Sequence, residues 1–536
     1  MKQFAFMILV FLSLTSCFDE NPRDQIPETE AYSSAKNLYI NAVAMLYNYI
    51  GGHTDSEGLQ GTYRGVYDYN TFTTDEAMLP TRGGDWYDGG FWQNLYLHRW
   101  TSADRSLYDT WSYLYRVIVL CNRSLARIEE HKALLTEAQK AAYEAEVRAV
   151  RAMFYYYLMD MFGNVPLVVS EETPIKNIKQ SSRSKVFRFV FDELQTVAPL
   201  LPNEHSNREG AYYGRITRPV AWFLLAKLAL NAEIYADDDW TDGTKLNGRN
   251  IYFTVAGHRL NAWQTVECYA DSIASAGYSF EGNYAKNFSV HNENSVENIF
   301  TIPMNKIVYA NQFQYLFRSR HYRHGDMLGM GSENGTSATV STVETYGYGT
   351  NIVDTRYTLN FYSDTLRIDG NVIYLSKNKP LVYMPLEIKL DLTGTKYEKT
   401  AGARMSKYEI DRTAYSDGKL QDNDIVLFRY ADVLLMTAEA KVRNGQNGNA
   451  ELNRVRARVS MPARSATLKN ILDERLMELM WEGWRRQDLI RFGKFSSSYD
   501  QRPQLDGESS GYTTVFPIPN TACKLNVNLK QNHGYK

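Results

Sequence analysis

The sequence predicts a mainly α-helical protein in which helical ends bracket a long irregular middle, and three observations lead to that reading. Apolar residues recur at three- and four-residue steps through the first 236 residues and again after residue 424. Across 237–424 that period fades, Gly, Asn, Ser and Thr accumulate, and only short β-like pieces such as 299–302 and 381–384 appear. Aromatic residues make up 13% of the chain, including 39 Tyr and 9 Trp, more than a core of this size needs and suited to a binding surface.

The elements follow in order. Lys2, an apolar run over 4–14 and then Leu14-Thr15-Ser16-Cys17 give a charged start, a short hydrophobic segment and small residues before a thiol. The run is too short to span a bilayer, which takes about 20 apolar residues. It resembles a bacterial lipoprotein signal, with 1–16 removed and Cys17 lipidated. Residues 17–30, with Asp19, Glu20, Pro22 and Pro27, read as a flexible tether. The acidic residues behind the cysteine resemble a surface-export pattern, which implies a body anchored to the outer membrane and facing the cell exterior.

A helix over 31–50 carries Ala35, Leu38, Ala42, Met45, Leu46 and Tyr49 on one stripe, and 108–128 repeats the pattern with Trp111, Leu114, Ile118 and Leu125. Thr136 and Glu137 open a further helix lined by Ala145, Ala149 and Ala152 and stopped by Gly163, Asn164 and Pro166. More helices are expected over 184–200, 219–235, 261–276, 430–443, 450–459 and 468–481. Helix pairs of this length, with Ala at crossing points, resemble tetratricopeptide hairpins, so the expected fold is a hairpin superhelix with a loop-rich ligand-facing region. The chain divides into an N-terminal helical part (31–236), the loop-rich part (237–424) and a C-terminal helical part (425–536), with 31–536 as one globular unit.

With 59 basic and 61 acidic residues the formal charge is -2 and no basic patch stands out, which argues against nucleic acid as a partner. Beyond Cys17 only Cys121, Cys268 and Cys523 remain, too few for a disulfide framework, and all three read as small buried hydrophobes. No HExxH or GxSxG is present, and neither Gly418-Lys419 nor Gly493-Lys494 continues into Ser or Thr as a phosphate loop requires. No cofactor is expected. The run Asp237, Asp238, Asp239, Asp242, Gly243 offers at most a loose surface calcium site, because Trp240 and Arg249 stand where its third and twelfth ligands belong.

Four blocks carry a family resemblance: AEVRAVRAMFYYYLMDMFGNVPLV (145–168), RYADVLLMTAEA with LNRVRAR (429–440 and 452–458), ILDERLMELMWEGWRRQDLIRFG (471–493) and VFPIPNTACKLNVNLKQNHGY (515–535). Together with the lipoprotein-like start they resemble the SusD/RagB family of surface glycan-binding lipoproteins over essentially the whole chain. The resemblance implies a non-catalytic protein that captures oligosaccharide or polysaccharide and delivers it to a SusC-like TonB-dependent transporter. A peptide-capturing protein on the same scaffold is the alternative reading, and a glycosidase, which needs two carboxylates across a cleft, a remoter one. The charged residues of the third block alternate with apolar ones along an amphipathic helix and are expected to form intramolecular ion pairs, as are Arg148 and Arg151.

The expected site is the Gly-broken segment 73–100. A sugar presents a C–H face and a rim of hydroxyls, so it calls for a flat aromatic beside fixed donors and acceptors. Trp86, Tyr87 and Trp92 supply rings, while Asp75, Arg82 and Asp88 supply hydrogen-bonding groups. The resemblance also carries Asp75, Arg82, Trp86 and Trp92 over as ligand contacts. A second wall is expected from Tyr315 and Tyr322, ahead of a Glu333-Asn334-Gly335 turn where relatives commonly place an aromatic and this chain has no tryptophan; either stacking on this side is lost or Tyr322 takes that aromatic's role.

Overall fold

The structure, a computed structural model, describes residues 28–536. The signal segment, Cys17 and most of the tether lie outside the described residues. Among those described, no helix is long and apolar enough to cross a membrane.

The helical frame begins with α1 (Ala35–Ala42), capped by the Ser34 hydroxyl. The single helix expected over 31–50 is in fact two, because the chain tightens into a 3-10 helix at Ala44–Tyr49. Next come α2 (Arg105–Glu130) and α3 (Glu137–Phe162), a hairpin whose second arm opens with a reciprocal cap between Thr136 and Gln139. On α2, Trp111, Leu114 and Ile118 of the predicted stripe are buried and Leu125 is half-buried, while Leu107 and Cys121 are buried as well. The second half of α3 is buried all round, because α2 covers one side and α4 (Arg183–Val197) the other. It ends at Gly163, whose φ of 67° places it in the left-handed region; a Cβ there would come within 2.5 Å of the Trp240 ring.

Each following helix packs on the last: α5 (Arg218–Leu230) on α4, α6 (Ala262–Ser275) on α5, and α7 (Tyr430–Arg443) on α6. Helices α8 (Asn449–Arg458) and α9 (Leu468–Leu479) then pack on α7, and α10 (Arg485–Arg491) follows α9. This is the expected mainly α-helical hairpin superhelix.

Four strands decide where the irregular segments go. They are β1 (Ala77–Met78), β2 (Asn298–Ile302), β3 (Ser337–Ala338) and β4 (Ile425–Arg429). Strands β2 and β4 pair antiparallel and are wholly buried, and β4 runs directly into α7. Residues 303–424 are therefore one excursion whose two ends are fastened side by side in the frame. A second excursion separates α1 from α2. The two meet where β1 pairs antiparallel with β3, and Met78 and Tyr96 from one join Ile388, Leu392 and Ala401 from the other in a small separate core.

The charged C-terminal block is buried inside this frame. Glu478 receives Arg356, Arg429 and Arg458, Glu474 receives Arg356 and Arg456, and Glu482 receives Arg429 and Lys407. Arg475 joins Asp432 and Asp488, while Arg491 joins Glu439 and Asp488. Burial works against a charged carboxylate, yet the guanidiniums around Glu478 hold it well below the usual range. A charge so enclosed persists only when paired, so the network fixes β4, α7, α8, α9 and α10 in one arrangement. Arg148 and Arg151 both pair with Glu193 of α4. Of the cysteines, Cys121 is buried as expected, but Cys268 and Cys523 are only half-buried; all three are unpaired.

Candidate functional site

The segment 82–92 forms a tight loop that needs left-handed backbone at Gly83, Gly89 and Gly90, and also at Trp86 (φ 64°) and Asp88 (φ 42°). Non-glycine residues are held there only when their surroundings over-determine them. Trp86 is so held: its Nε1 donates to the Glu333 carbonyl at 2.9 Å and its ring lies against Gly335, where a Cβ would come within 2.8 Å of it. The ring meets Tyr63 and Trp92 edge-on at 6.3 and 6.1 Å and stays half-buried, with Tyr87 beside it 61% exposed.

Across the loop, Tyr322 is 40% exposed and donates to Asp85 Oδ2 at 2.8 Å, and Lys399 Nζ donates to the same oxygen at 3.0 Å. Partial burial would raise the Asp85 carboxyl, but the bonds from Lys399 and Tyr322 outweigh it and hold the group below its usual value. Burial and the same bond to Asp85 push the Tyr322 hydroxyl up to about 12. The result is a face with half-exposed aromatic rings set around one ionised carboxylate and one ammonium.

On the other flank Asp88 Oδ2 accepts from Arg64 at 2.7 Å and from Trp92 Nε1 at 2.8 Å. Arg64 also reaches Asp55 at 3.3 Å and lies 5.6 Å from the Phe91 ring centre. Asp55, Arg64, Asp88 and Phe91, with Leu95, Trp100 and Asp104, line an open cleft of about 510 Å³.

Four of the expected contacts are corrected. Arg82 is fully buried and spends its guanidinium on the carbonyls of Gly335, Glu398 and Ala401 and on the Ser337 hydroxyl, so it fastens the two excursions together. Trp92 is 1% exposed, packed edge-on against Phe72 and Phe91. Tyr315 is 2% exposed, stacked on Tyr67 at 4.1 Å with its hydroxyl on Gln60. Asp75 is also committed, because Arg485 takes both its oxygens. Trp86, Tyr87 and Tyr322 are thus left partly exposed around Asp85, with Asp88 on the flanking cleft, while Asp75, Arg82, Trp92 and Tyr315 hold the loop up.

Sequence reasoning missed Tyr63, Arg64 and Lys399. Tyr63 and Arg64 fall in the Gly-rich break 51–90 between the first two helices, which was a usable signal. Lys399 lies 314 residues from Asp85 and carried none. In the acidic run read as a loose calcium site, Asp238 receives the Ser184 amide and hydroxyl, and Asp239 pairs with His533 at 2.9 Å.

Comparison with known proteins matches two family models. The one described as the SusD family covers residues 390–535, and the one described as starch-binding, associating with the outer membrane, covers 28–230. The chain is 24% identical to the starch-binding protein SusD of Bacteroides thetaiotaomicron over 99% of its own length and 98% of the relative's. It is 23% identical to a SusD-like protein of Bacteroides ovatus over 91% of its own length and 81% of that protein's. Among solved structures, a SusD superfamily protein from Bacteroides vulgatus superposes with a TM-score of 0.71 at 17% identity, covering 94% of this chain and all of the other. Surface glycan-binding protein A from Bacteroides thetaiotaomicron, in complex with laminarihexaose, superposes with a TM-score of 0.66 at 20% identity over 93% of this chain and 99% of the other.

Proposed function

This chain belongs to the SusD family, and from that premise we propose that it is a non-catalytic, surface-anchored receptor that captures oligosaccharide or polysaccharide on the face around Trp86. The observation that carries the reading is the half-exposed Trp86, fixed by Glu333 and Gly335, beside exposed Tyr87 and Tyr322 and the Asp85–Lys399 pair. Rigid rings offer a sugar its stacking partner at low entropic cost, and the ion pair offers both an acceptor and donors for its hydroxyls. The starch-binding relative and the laminarihexaose-bound neighbour support a glycan as the ligand class.

A binding role suits the carboxylates better than catalysis does. Asp85 is held ionised by Lys399 and Tyr322, so it is not free as a proton donor, and Asp88 is tied to Arg64 and Trp92. Lipidation at Cys17 would anchor the body to the outer membrane, facing outward, where it would pass captured glycan to a SusC-like transporter. Calorimetry against a panel of neutral polysaccharides and peptides tests the reading. Binding of at least one glycan, weakened in Trp86→Ala, is expected; binding of peptides alone would move the ligand class to peptide.

A further inference from the structure

A second concavity, about 620 Å³, is lined by α1, the 3-10 helix after it and the segments 211–215 and 308–311. Four tyrosines stand in its lining: Tyr39 and Tyr47 from α1 and the 3-10 helix after it, Tyr213 from the first segment and Tyr309 from the second. Two buried carboxylates fix three of them. Glu146 of α3, 4% exposed, accepts from Tyr39 at 3.2 Å, from Tyr47 at 2.6 Å and from both arms of Arg215 at 2.9 and 2.7 Å. Asp424, 1% exposed, accepts from Tyr213 at 2.7 Å, from the Thr301 hydroxyl at 2.9 Å and from the Met304 amide at 2.9 Å. Gly214 presses 211–215 onto β2's end, since a Cβ there would stand 2.3 Å from the Pro303 ring.

Three of the four rings are therefore set before any ligand arrives, which is what a preorganised site requires. The chemistry left at the mouth is apolar and neutral. Val308 is 69% and Tyr309 40% exposed; Asn48 and His53 are exposed beside them. Arg215 is neutralised by Glu146, and Lys306 of the adjoining turn by Asp411 and Asp422. Aromatic and aliphatic surface with amide and imidazole groups, and no unmatched charge, suits an uncharged polyhydroxyl ligand better than an anion or a cation.

We propose that this groove is a second carbohydrate site, taking a neutral oligosaccharide, and that one long glycan engages it together with the Trp86 face. The proposal rests on the receptor function above. The connection is structural: Gly51 and His53 line the groove, while Asp55, Ser56 and Arg64 of the same loop line the cleft beside Asp88. Two weak sites on one chain raise the affinity for a polymer that spans them without any new contact.

The test is titration calorimetry with maltohexaose, laminarihexaose and xylohexaose and with their parent polymers, on the wild type, Tyr309→Ala, Asn48→Ala and Trp86→Ala, each with a melting curve. Tyr309 and Asn48 are exposed, so both groove variants should melt as the parent does. Expected are two hexasaccharides per chain in the wild type, one in Tyr309→Ala and in Trp86→Ala, and at least a tenfold loss of polymer affinity in either. One hexasaccharide per chain, lost in Trp86→Ala and unmoved in both groove variants, overturns the second site and leaves the receptor function standing. Binding of no glycan by the parent overturns both.

Discussion

Arg485 of α10 clasps Asp75 through two parallel bonds of 2.6 and 2.7 Å, joining residues 410 positions apart. The pair links the ligand-side loop to the charged C-terminal block, with side-chain exposures of only 6% and 17%. Asp75, expected to meet ligand, is instead the point at which the loop is bolted to the frame.

Breaking that bolt should act on stability. Removing one partner of a largely buried pair leaves the other charge uncompensated, a loss of roughly 3 to 5 kcal/mol. Arg485→Ala should therefore melt several degrees below the wild type, while the folded fraction binds glycan nearly as tightly. Unchanged melting with lost binding, read by calorimetry on the same preparation, would place Arg485 in the site.

The two tryptophans of the loop should separate cleanly. Trp86→Ala should weaken glycan binding by about 1 to 3 kcal/mol with a smaller change in melting than Trp92→Ala, because that ring is half-exposed and only packs against the edge of the core. Trp92→Ala should cost the fold about 3 to 5 kcal/mol, since it empties a fully buried ring's volume. Melting curves alongside titrations distinguish them.

Glu76 sets a pH dependence. Burial pushes its carboxyl up to about 8, although it accepts from the Trp481 amide and lies near Arg485 and Lys407. A raised carboxyl binds its proton more tightly in the folded chain than in the unfolded one. Its stabilising contribution is therefore complete below the unfolded value of 4.5 and is lost as pH rises toward 8, by up to roughly 1.4 kcal/mol per pH unit. Glu76→Gln keeps an acceptor for Trp481 and removes the titration. Between pH 5 and 8 its melting temperature should fall less than that of the wild type; parallel curves would show that Glu76 does not titrate in that window.

Cys17→Ala should release the protein from the membrane fraction, since this thiol is the position that the signal-like segment prepares for lipid. Fractionation with a lipid label reads it directly. A variant that stays membrane-bound and labelled would place the anchor elsewhere.

The sequence by itself determined the frame. Helical periods placed α2 through α9 within a few residues, the Thr136 cap and Gly163 stop bounded α3, and four ordered blocks carried the family. Those features are local, written in residues within one or two turns of one another, and local pattern is what a single sequence displays. The break at Val43 was not visible in this way, because Tyr39 and Tyr47 on either side of it both reach Glu146, about a hundred positions away.

Only the tertiary structure decided which residues of the Gly-rich loop face outward. Trp86 and Trp92 lie in equally aromatic surroundings along the chain, yet one is half-exposed and the other buried. Arg82 is withdrawn from the surface by carbonyls 253 and 319 positions away, and Tyr322 is brought to Asp85 across 237. Exposure is a property of what covers a side chain: Trp92 is covered by Phe72 and Phe91 of its own excursion, whereas Arg82 and Asp85 meet residues of the distant excursion fastened at β2 and β4.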